Sequence, residues 1–173
     1  MRALRLIGVS ALLLAAACDE DLGNSGGVDT PPPAEDIQAF LQVDNDHAQP
    51  GQQVAVFVRV QLGSKTNARL GSYTGRLRFD PEALAWLRDV KIDDGMRVIN
   101  PNNASTGDVR FAGAAVKGFD NLVLYQGVFE VKDPKYLDGM VLQMEEVSAA
   151  LTLKNLKADL KMADHVYRLQ QAN

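Results

Sequence analysis

Valine at every second position is the feature that most limits how this chain folds. Residues 53–61 read QVAVFVRVQ, with valine at each alternate position from Val54 to Val60. Successive side chains of a β-strand point to opposite faces of a sheet, so this spacing predicts a strand with one apolar face and one mixed face. An α-helix, with about 3.6 residues per turn, would scatter the same valines around its surface. The chain therefore has to bury one face of a sheet.

Other segments repeat the period of two, and turn residues separate them. The segments with this pattern are residues 73–79, 109–113, 123–131 and the apolar stretch 141–153. The turn sequences are Gln49-Pro50-Gly51, Asp80-Pro81, Asp93-Asp94-Gly95, Asn100-Pro101-Asn102-Asn103, Lys117-Gly118 and Leu137-Asp138-Gly139. Helical periodicity is nearly absent. Short strands divided in this way predict an all-β fold, an antiparallel β-sandwich of the jelly-roll type.

The C-terminal segment is the ambiguous part of the predicted domain, which covers residues 37–173. Within 156–173, the spacing of Leu156 and Leu160 is helical, whereas the residues around Val166 fit a final strand. We interpret this segment as a closing strand of the sandwich.

One corner of the sandwich follows from the sequence Phe79-Asp80-Pro81. Phe79 ends its strand on the apolar side, and Pro81 stops strand pairing because it has no amide hydrogen. The Asp80 carboxylate can accept hydrogen bonds from the free backbone amides beyond it. We expect a single helical turn over residues 81–84, followed by burial of Trp86 in the core.

The first residues have the three-part layout of a secretory signal peptide. Arg2 and Arg5 precede an apolar run over residues 6–14, which three alanines follow. The run is too short for a membrane-spanning helix, which needs about 20 apolar residues. Cys18, the only cysteine of the chain, comes directly after the alanines, and the sequence Leu-Ala-Ala-Ala-Cys resembles the lipobox of bacterial lipoproteins. The resemblance implies removal of residues 1–17 and a lipid on Cys18.

Residues 18–36 are predicted to form a mobile tether between this lipid and the folded domain. The stretch holds three consecutive prolines, several glycines and few apolar residues, so it buries too little surface to fold. Two or more acyl chains on Cys18 would anchor the chain stably at a membrane. An ordinary secretory signal followed by a chance cysteine is the alternative. We expect an exported protein, lipid-anchored to a bacterial membrane on the periplasmic side or at the cell surface.

Charge and residue content argue against nucleic-acid binding and catalysis. The formal net charge is -4, and lysine and arginine are scattered instead of forming a basic stripe. The sequence has no nucleophile-elbow pattern and no phosphate-binding glycine loop. Glu145 and Glu146 are neighbours on a predicted strand and should point to opposite faces, so they would not share a substrate. We predict no catalytic residues and no cofactor.

Two Asp-rich turns resemble metal sites only superficially. Residues 44–47 read Asp-Asn-Asp-His, a composition that ordinary turn chemistry explains. The sequence Asp93-Asp94-Gly95 lacks the remaining ligands of a calcium loop. We therefore predict no metal site.

The order of these motifs resembles a cohesin domain, the β-sandwich module of cellulosome scaffolds that binds dockerin modules. The stretches that carry the resemblance are Gln49 to Val54, Tyr73 to Leu84, Gly107 to Ala114, and Leu124 to Val131 followed by Val141 to Ala150. They span residues 38–153, about two thirds of the chain. The resemblance implies a protein partner, in particular a calcium-loaded dockerin-like module.

The resemblance also points to the strand that leads into the Phe79 corner, because the corresponding cohesin strand lies in the dockerin-binding sheet. Alternation puts Thr74, Arg76 and Arg78 on the outward side of this strand, and we predict that they contact the partner. Arginine is frequent at interaction hot spots, since its planar donor group pairs with carboxylates. Dockerin-binding cohesins tend to carry Asn and Asp where this chain has Ser72 and Thr74, so the usual polar pair is missing.

Two other functions fit the same sequence. A carbohydrate-binding module of similar fold would present an exposed row of aromatic side chains, whereas a protein-binding module would present a flat face of mixed polar and apolar residues. A structural subunit packed permanently within an envelope complex is the third possibility. The composition of the exposed sheet face discriminates between the carbohydrate-binding module and the protein-binding module.

Cys18→Ala should release the protein from the membrane. The variant loses the residue that would carry the lipid, so we expect it in the soluble fraction or with its signal uncleaved. Cell fractionation and mass spectrometry of the N-terminus measure both outcomes, with Ser25→Ala as a control that stays in the membrane. An unmodified N-terminus other than Cys18 in the wild-type protein would contradict lipidation.

Overall fold

The computed structural model describes residues 31 and 33–169, and nearly all of their regular structure is β-strand. The strands are β1 (Ile37–Val43), β2 (Gln53–Gln61), β3 (Leu70–Arg78), β4 (Leu84–Asp89), β5 (Met96–Asn100), β6 (Asp108–Ala114), β7 (Val123–Val131), β8 (Val141–Ala149) and β9 (Leu160–Arg168). The helical elements in this part of the chain are single 3₁₀ turns at Ala104–Thr106 and Lys157–Asp159. The predicted signal peptide, Cys18 and most of the predicted tether lie outside the described residues.

The strands form two sheets that pack face to face. Five strands in the order β4-β7-β2-β1-β9 make one sheet, and four strands in the order β5-β6-β3-β8 make the other. The valine strand β2 lies at the centre of the five-stranded sheet, where its alternate valines are at most 3% exposed. The predicted all-β sandwich is confirmed.

One strand pair departs from the expected antiparallel arrangement. β9 runs parallel to β1, with Ile37 opposite Leu160 and Val43 opposite Arg168. The other strand pairs of the two described sheets are antiparallel. The chain enters β9 from the other sheet instead of through a hairpin, so no tight turn imposes the antiparallel direction. Residues 160–168 thus form the expected closing strand, and the helical alternative is wrong for these residues.

The apolar stretch 141–153 predicted a longer β8 than the structure has. The strand ends at Ala149, and the apolar residues beyond it form an exposed turn in which the Ala149 amide donates to the Lys154 carbonyl at 2.9 Å. Leu151 and Leu153 adopt positive φ angles of 64° and 52°. The pattern also failed to predict β1, β4 and β5 as strands, because none of these segments has a clean alternation of apolar and polar residues.

The predicted tether is attached to the sandwich at its C-terminal end. The carbonyls of Ala34 and Glu35 accept hydrogen bonds from the amides of Ser64 and Lys65, each at 3.1 Å. β1 begins shortly afterwards, at Ile37. The predicted mobility therefore does not extend to the last residues of the tether.

Two aromatic rings on the four-stranded sheet lie over glycines of the neighbouring strand. Tyr73 is opposite Gly113, and Phe111 is opposite Gly75. A Cβ atom on Gly113 would come within 2.5 Å of the Tyr73 ring, and one on Gly75 within 2.7 Å of the Phe111 ring. Phe111 also stacks on Tyr125 of β7, with the ring centroids 5.6 Å apart. These rings connect the two sheets through the core.

Each free sheet edge in the described strands carries a feature that disfavours further strand pairing. β4, β8 and β9 contain bulges, at Leu87, at Glu145 and within residues 163–165. β5 has no bulge but turns the charged side chain of Arg97 inward, where it is 8% exposed. Bulges and inward-pointing charges hinder the addition of a strand from another molecule.

The corner after β3 forms as predicted. Phe79 is 5% exposed and contacts Phe129 edge to face, with the ring centroids 5.1 Å apart. The Asp80 carboxylate accepts a hydrogen bond from the Glu82 amide at 2.9 Å. The Leu84 amide donates to the Asp80 carbonyl at 2.9 Å, which closes the expected single helical turn before β4.

Phe79→Ala should lower the free energy of unfolding by about 3 to 5 kcal/mol, because it removes a buried ring and leaves a cavity beside Phe129. Urea denaturation followed by circular dichroism measures the change. The control is Val116→Ala at a residue 85% exposed, which should cost less than about 0.5 kcal/mol. A loss under about 1 kcal/mol for Phe79→Ala would contradict its place in the core.

Candidate functional site

The outward side of the four-stranded sheet, called the outer face below, carries the residues predicted to contact a partner. Strand pairing aligns its residues in rows across β5, β6, β3 and β8. The rows are Met96-Ala114-Ser72-Ser148, Val98-Ala112-Thr74-Glu146, Asn100-Arg110-Arg76-Gln143 and, beyond the end of β5, Asp108-Arg78-Val141. The period of two thus places Thr74, Arg76 and Arg78 on one face, as predicted.

One end of the outer face is apolar. Met96 is 71% exposed and Val98 is 60% exposed, both on β5. Ala114 and Ala112 lie beside them on β6. Large apolar side chains that a fold leaves in contact with water mark candidate interaction surfaces. The sequence pattern missed this apolar end because it did not predict β5.

Arg76 is held by two carboxylates of its own sheet. Its Nε and Nη2 atoms donate to Glu145 Oε1 at 2.8 and 2.5 Å, and its Nη1 atom lies 3.5 Å from Asp108 Oδ2. The Arg76 side chain is only 21% exposed. This ion pair joins β6, β3 and β8 across the outer face. Arg76 is consequently less available to a partner than its sequence position suggested.

Arg78 and Arg110 are exposed on the same face. Neither forms an ion pair or a side-chain hydrogen bond with the rest of the described chain. Arg110 is opposite Arg76, and Arg78 is opposite Asp108, whose carboxylate turns toward Arg76 instead. The alternation of residues 109–113 places Arg110 outward, but sequence reasoning did not select it as a site residue.

Glu145 and Glu146 both point outward, so the prediction that they face opposite sides of the sheet is wrong. Strand pairing skips Glu145, which is the extra residue of a β-bulge. A bulge interrupts the alternation of side chains. Glu145 binds Arg76, and Glu146 Oε1 accepts a hydrogen bond from Ser72 Oγ at 3.3 Å. Each carboxylate is thus engaged with a neighbour on the outer face.

Arg97 and Tyr73 fasten β5 from beneath the outer face. Arg97 Nη1 donates to the Tyr73 hydroxyl at 2.7 Å and to the Val123 carbonyl at 2.6 Å. The Tyr73 hydroxyl donates to the Leu124 carbonyl at 2.8 Å. Burial raises the pKa of Tyr73 to about 12, although the Arg97 charge opposes the shift. The hydroxyl therefore stays protonated at neutral pH and keeps donating, which holds the exposed residues of β5 in place.

The outward residues of these four described strands include no aromatic side chain. Trp86, the candidate for stacking on a sugar, lies on β4 of the other sheet and packs half-buried against the core. Its Nε1 atom donates to the Tyr125 hydroxyl at 3.0 Å. The prediction that Trp86 packs on the core is confirmed, although its burial is incomplete. The outer face lacks the aromatic row expected of a sugar-binding platform.

The Asp and Asn side chains of the two Asp-rich turns accept hydrogen bonds from backbone amides. Asn45 Oδ1 accepts from the His47 amide at 3.1 Å, and Asp44 Oδ1 accepts from the Ala55 amide at 2.8 Å. Asp94 Oδ2 accepts from two backbone amides of the β6–β7 loop, at 2.9 and 2.7 Å. Within residues 31 and 33–169, no group of three His, Cys, Asp or Glu side chains is placed to hold a metal ion.

In the described residues these features define a β-sandwich module whose four-stranded sheet has an outer face of mixed polar and apolar side chains. Solved cohesin modules share this fold. The sixth cohesin of scaffoldin B from Acetivibrio cellulolyticus, solved with a dockerin mutant, has a TM-score of 0.55 at 14% identity, over 78% of this chain and 99% of that chain. A type I cohesin from Clostridium thermocellum, also solved as a cohesin–dockerin complex, has a TM-score of 0.54 at 13% identity, over 78% and 99%.

The fold is also found in a cohesin from outside cellulosomes. The non-cellulosomal cohesin of the archaeon Archaeoglobus fulgidus has a TM-score of 0.50 at 14% identity, over 76% of this chain and 86% of that chain. No family model matches the sequence, and no curated protein matches it. At these identities the likeness defines the fold, and the cohesin-like sandwich predicted from the sequence is confirmed.

Among the helices of the described residues, none has the length and apolar character needed to cross a membrane.

Arg76 and Glu145 should show a measurable coupling energy in a double-mutant cycle. We expect Arg76→Ala, Glu145→Ala and the double variant to give about 0.5 to 1 kcal/mol of coupling in urea unfolding, because the pair is only partly shielded from water. Arg78→Ala, without a partner, should change stability by less than about 0.5 kcal/mol. Coupling indistinguishable from zero would contradict the ion pair that holds Arg76.

Proposed function

We propose that this chain is an exported lipoprotein whose cohesin-like sandwich binds a protein partner through the outer face. The observation that carries the proposal is the composition of that face, in which the exposed apolar residues Met96 and Val98 lie on the same surface as the unpaired Arg78 and Arg110. Mixed surfaces of this kind, with aliphatic contacts and arginines, are typical of protein interfaces.

The face is a better candidate than the edges of the sheets. A partner strand that extended either sheet would meet a bulge or the inward-turned Arg97 at each described edge. A partner that lies on the outer face meets side chains alone, since the backbone groups of β3 and β6 already pair within the sheet. Recognition is therefore expected to use side chains from several strands at once.

Thr74, Arg76 and Arg78 remain the proposed contact residues, and we propose a different role for each. Thr74 lies between the apolar and the charged ends of the face, next to Ala112. Arg76 keeps the centre of the face rigid through its pair with Glu145. Arg78 is the one of the three that is free to bind an acidic group of the partner.

The partner class that we propose is a dockerin-like module. Two of the cohesins with this fold were solved in complexes with dockerins. Ser72 and Thr74 stand where dockerin-binding cohesins tend to carry Asn and Asp, so the polar contacts of this chain would differ from theirs. Calcium-dependent capture would support a dockerin-like partner, because the family resemblance implies a calcium-loaded one.

The lipid anchor is a separate part of the proposal, supported by the N-terminal sequence. Cleavage before Cys18 and its acylation would place the sandwich outside the cytoplasm, at the end of the segment 18–36. The backbone bonds of Ala34 and Glu35 show where that segment meets the domain. Neither a catalytic nor a cofactor-dependent role is part of the proposed function.

Val98→Glu should weaken capture of the partner, because it puts a charge into the apolar end of the outer face. The purified protein is immobilised and exposed to lysate of its own organism, with and without a calcium chelator, and captured proteins are quantified by mass spectrometry. We expect the wild type to retain one protein at least about tenfold more than Val98→Glu does, which corresponds to about 1.4 kcal/mol.

Leu87→Glu provides the matched control, since Leu87 is an apolar residue 39% exposed on the other sheet. It should capture as much partner as the wild type does. Equal capture by Val98→Glu and wild type would move the interface away from the outer face. Retention of all three proteins on polysaccharide columns would favour the carbohydrate-binding alternative.

A further inference from the structure

We infer that one end of the sandwich, called the tether end below, contacts the surface of the membrane to which the chain is anchored, with Val116, Leu151 and Leu153 inserted among the lipid headgroups. The tether end is where β1 begins, and it consists of residues 33–36 and the loops 62–69, 90–95, 115–122 and 150–159. This inference rests on the lipid anchor of the proposed function, and it concerns a surface separate from the outer face.

The three most exposed large apolar side chains of the described residues all lie in two loops of the tether end. Val116 is 85% exposed, Leu151 is 79% exposed and Leu153 is 77% exposed. The described loops at the opposite end of the sandwich hold no large apolar side chain of this exposure. A single exposed apolar residue is ordinary, whereas three of them at one end mark a candidate contact surface.

The two loops are fastened on either side of the start of β3. The Ala115 amide donates to the Gly71 carbonyl at 2.7 Å, and the Ala150 amide donates to the Arg69 carbonyl at 2.8 Å. Only β3 lies between β6 and β8, so the ends of these two strands are about 10 Å apart. The apolar side chains of both loops can therefore contact one surface at the same time.

Leu151 and Leu153 lie in a turn whose shape is fixed by its own backbone. The Leu153 amide donates to the Ala149 carbonyl at 3.2 Å, and the Thr152 amide donates to the Ala150 carbonyl at 2.7 Å. Both leucines hold a left-handed backbone conformation, which is unfavourable for a side chain of this size. Strained backbone of this kind is concentrated at functional sites, where the surrounding structure maintains it.

Charge distinguishes the two ends of the sandwich in the direction that an anionic membrane surface favours. The described loops at the opposite end, 44–52, 79–83, 101–107 and 132–140, carry six acidic residues and two lysines. In the residues of the tether end, six lysines and arginines balance six aspartates and glutamates. Lys117 follows Val116 and Lys154 follows Leu153, so each apolar tip has a basic neighbour that can bind anionic headgroups.

The tether determines which surface these loops meet. Residues 18–36 join the proposed lipid to β1, and the hydrogen bonds of Ala34 and Glu35 attach them to the loop 62–69. An anchored sandwich therefore has this end nearest the bilayer, where attachment gives the loops a high effective concentration. The strands run from this end to the opposite one, so the outer face would stand upright on the membrane and stay open to a partner.

A tryptophan probe in the anchored protein tests the contact. The full lipidated chain is reconstituted into vesicles of phosphatidylcholine and phosphatidylglycerol, with or without bromine on the acyl chains. The chain has one tryptophan, so Leu151→Trp adds a second fluorophore at the tether end. We expect brominated lipid to reduce the added emission about twofold, because groups inserted at the interface lie about 5 to 10 Å deep. Val141→Trp, at a residue 55% exposed near the opposite end, is the control and should not be quenched.

Two double variants separate membrane contact from partner binding. With Val116→Trp as the probe, L151E/L153E should abolish the quenching, because the added charges oppose insertion of both loops. V98E/V141E changes two exposed aliphatic residues of the outer face in the same way and should leave the quenching unchanged. Partner capture should respond in the opposite sense, falling with V98E/V141E and not with L151E/L153E.

The anchor, the membrane contact and the outer-face interface fail in different ways. A wild-type chain that carries no lipid and does not float with vesicles would overturn the anchor and the inference together. An anchored chain whose Leu151→Trp and Val116→Trp emission is insensitive to brominated lipid would overturn the inference alone. A dimer in detergent that L151E/L153E dissociates, without quenching in vesicles, would assign the loops to a second copy and overturn the membrane contact. Quenching of Leu151→Trp with equal partner capture by Val98→Glu and wild type would support the membrane contact and overturn the outer-face interface.

Discussion

Two reciprocal pairs of an aromatic residue and a glycine, between β3 and β6, hold the rest of this structure in place. Tyr73 lies over Gly113 and Phe111 lies over Gly75, and a side chain on either glycine would collide with the ring. Because each ring fits against a glycine of the facing strand, a change of register would place side chains where the rings now lie. The Tyr73 hydroxyl also accepts a hydrogen bond from Arg97, which fixes β5 to the same sheet. The apolar and charged ends of the outer face are therefore carried by one rigid support.

On the outer face, one arginine is paired with carboxylates of the same sheet, and two other arginines are unpaired. Arg76 pairs with Glu145 and Asp108 across three strands, while Arg78 and Arg110 keep their charges free. A surface ion pair of this kind contributes little to stability, so its main effect is to fix side chains in position. Binding a complementary surface then requires less ordering of the centre of the face, which lowers the entropic cost of association.

Much of the fold could be predicted from sequence because strand alternation is a local property. The valines of β2, the Phe79 corner and the runs in β3, β6 and β7 show which side of each strand is buried. β5 escaped prediction because the consecutive apolar residues Val98 and Ile99 break its alternation, and only the structure shows that Met96 and Val98 point to water while Arg97 points inward. The parallel pairing of β9 with β1 depends on the path of the chain between sheets, for which the sequence holds no local pattern.

The sequence by itself determined that the chain builds a two-faced sheet and that Thr74, Arg76 and Arg78 project from one side, since side-chain direction in a strand depends only on neighbouring residues. Tertiary structure decided which of these arginines is free. Arg76 meets Glu145, a residue 69 positions away, because a bulge in β8 turns Glu145 outward. Charge pairing and exposure depend on residues that distant strands bring together, and a period of two in one strand does not specify them.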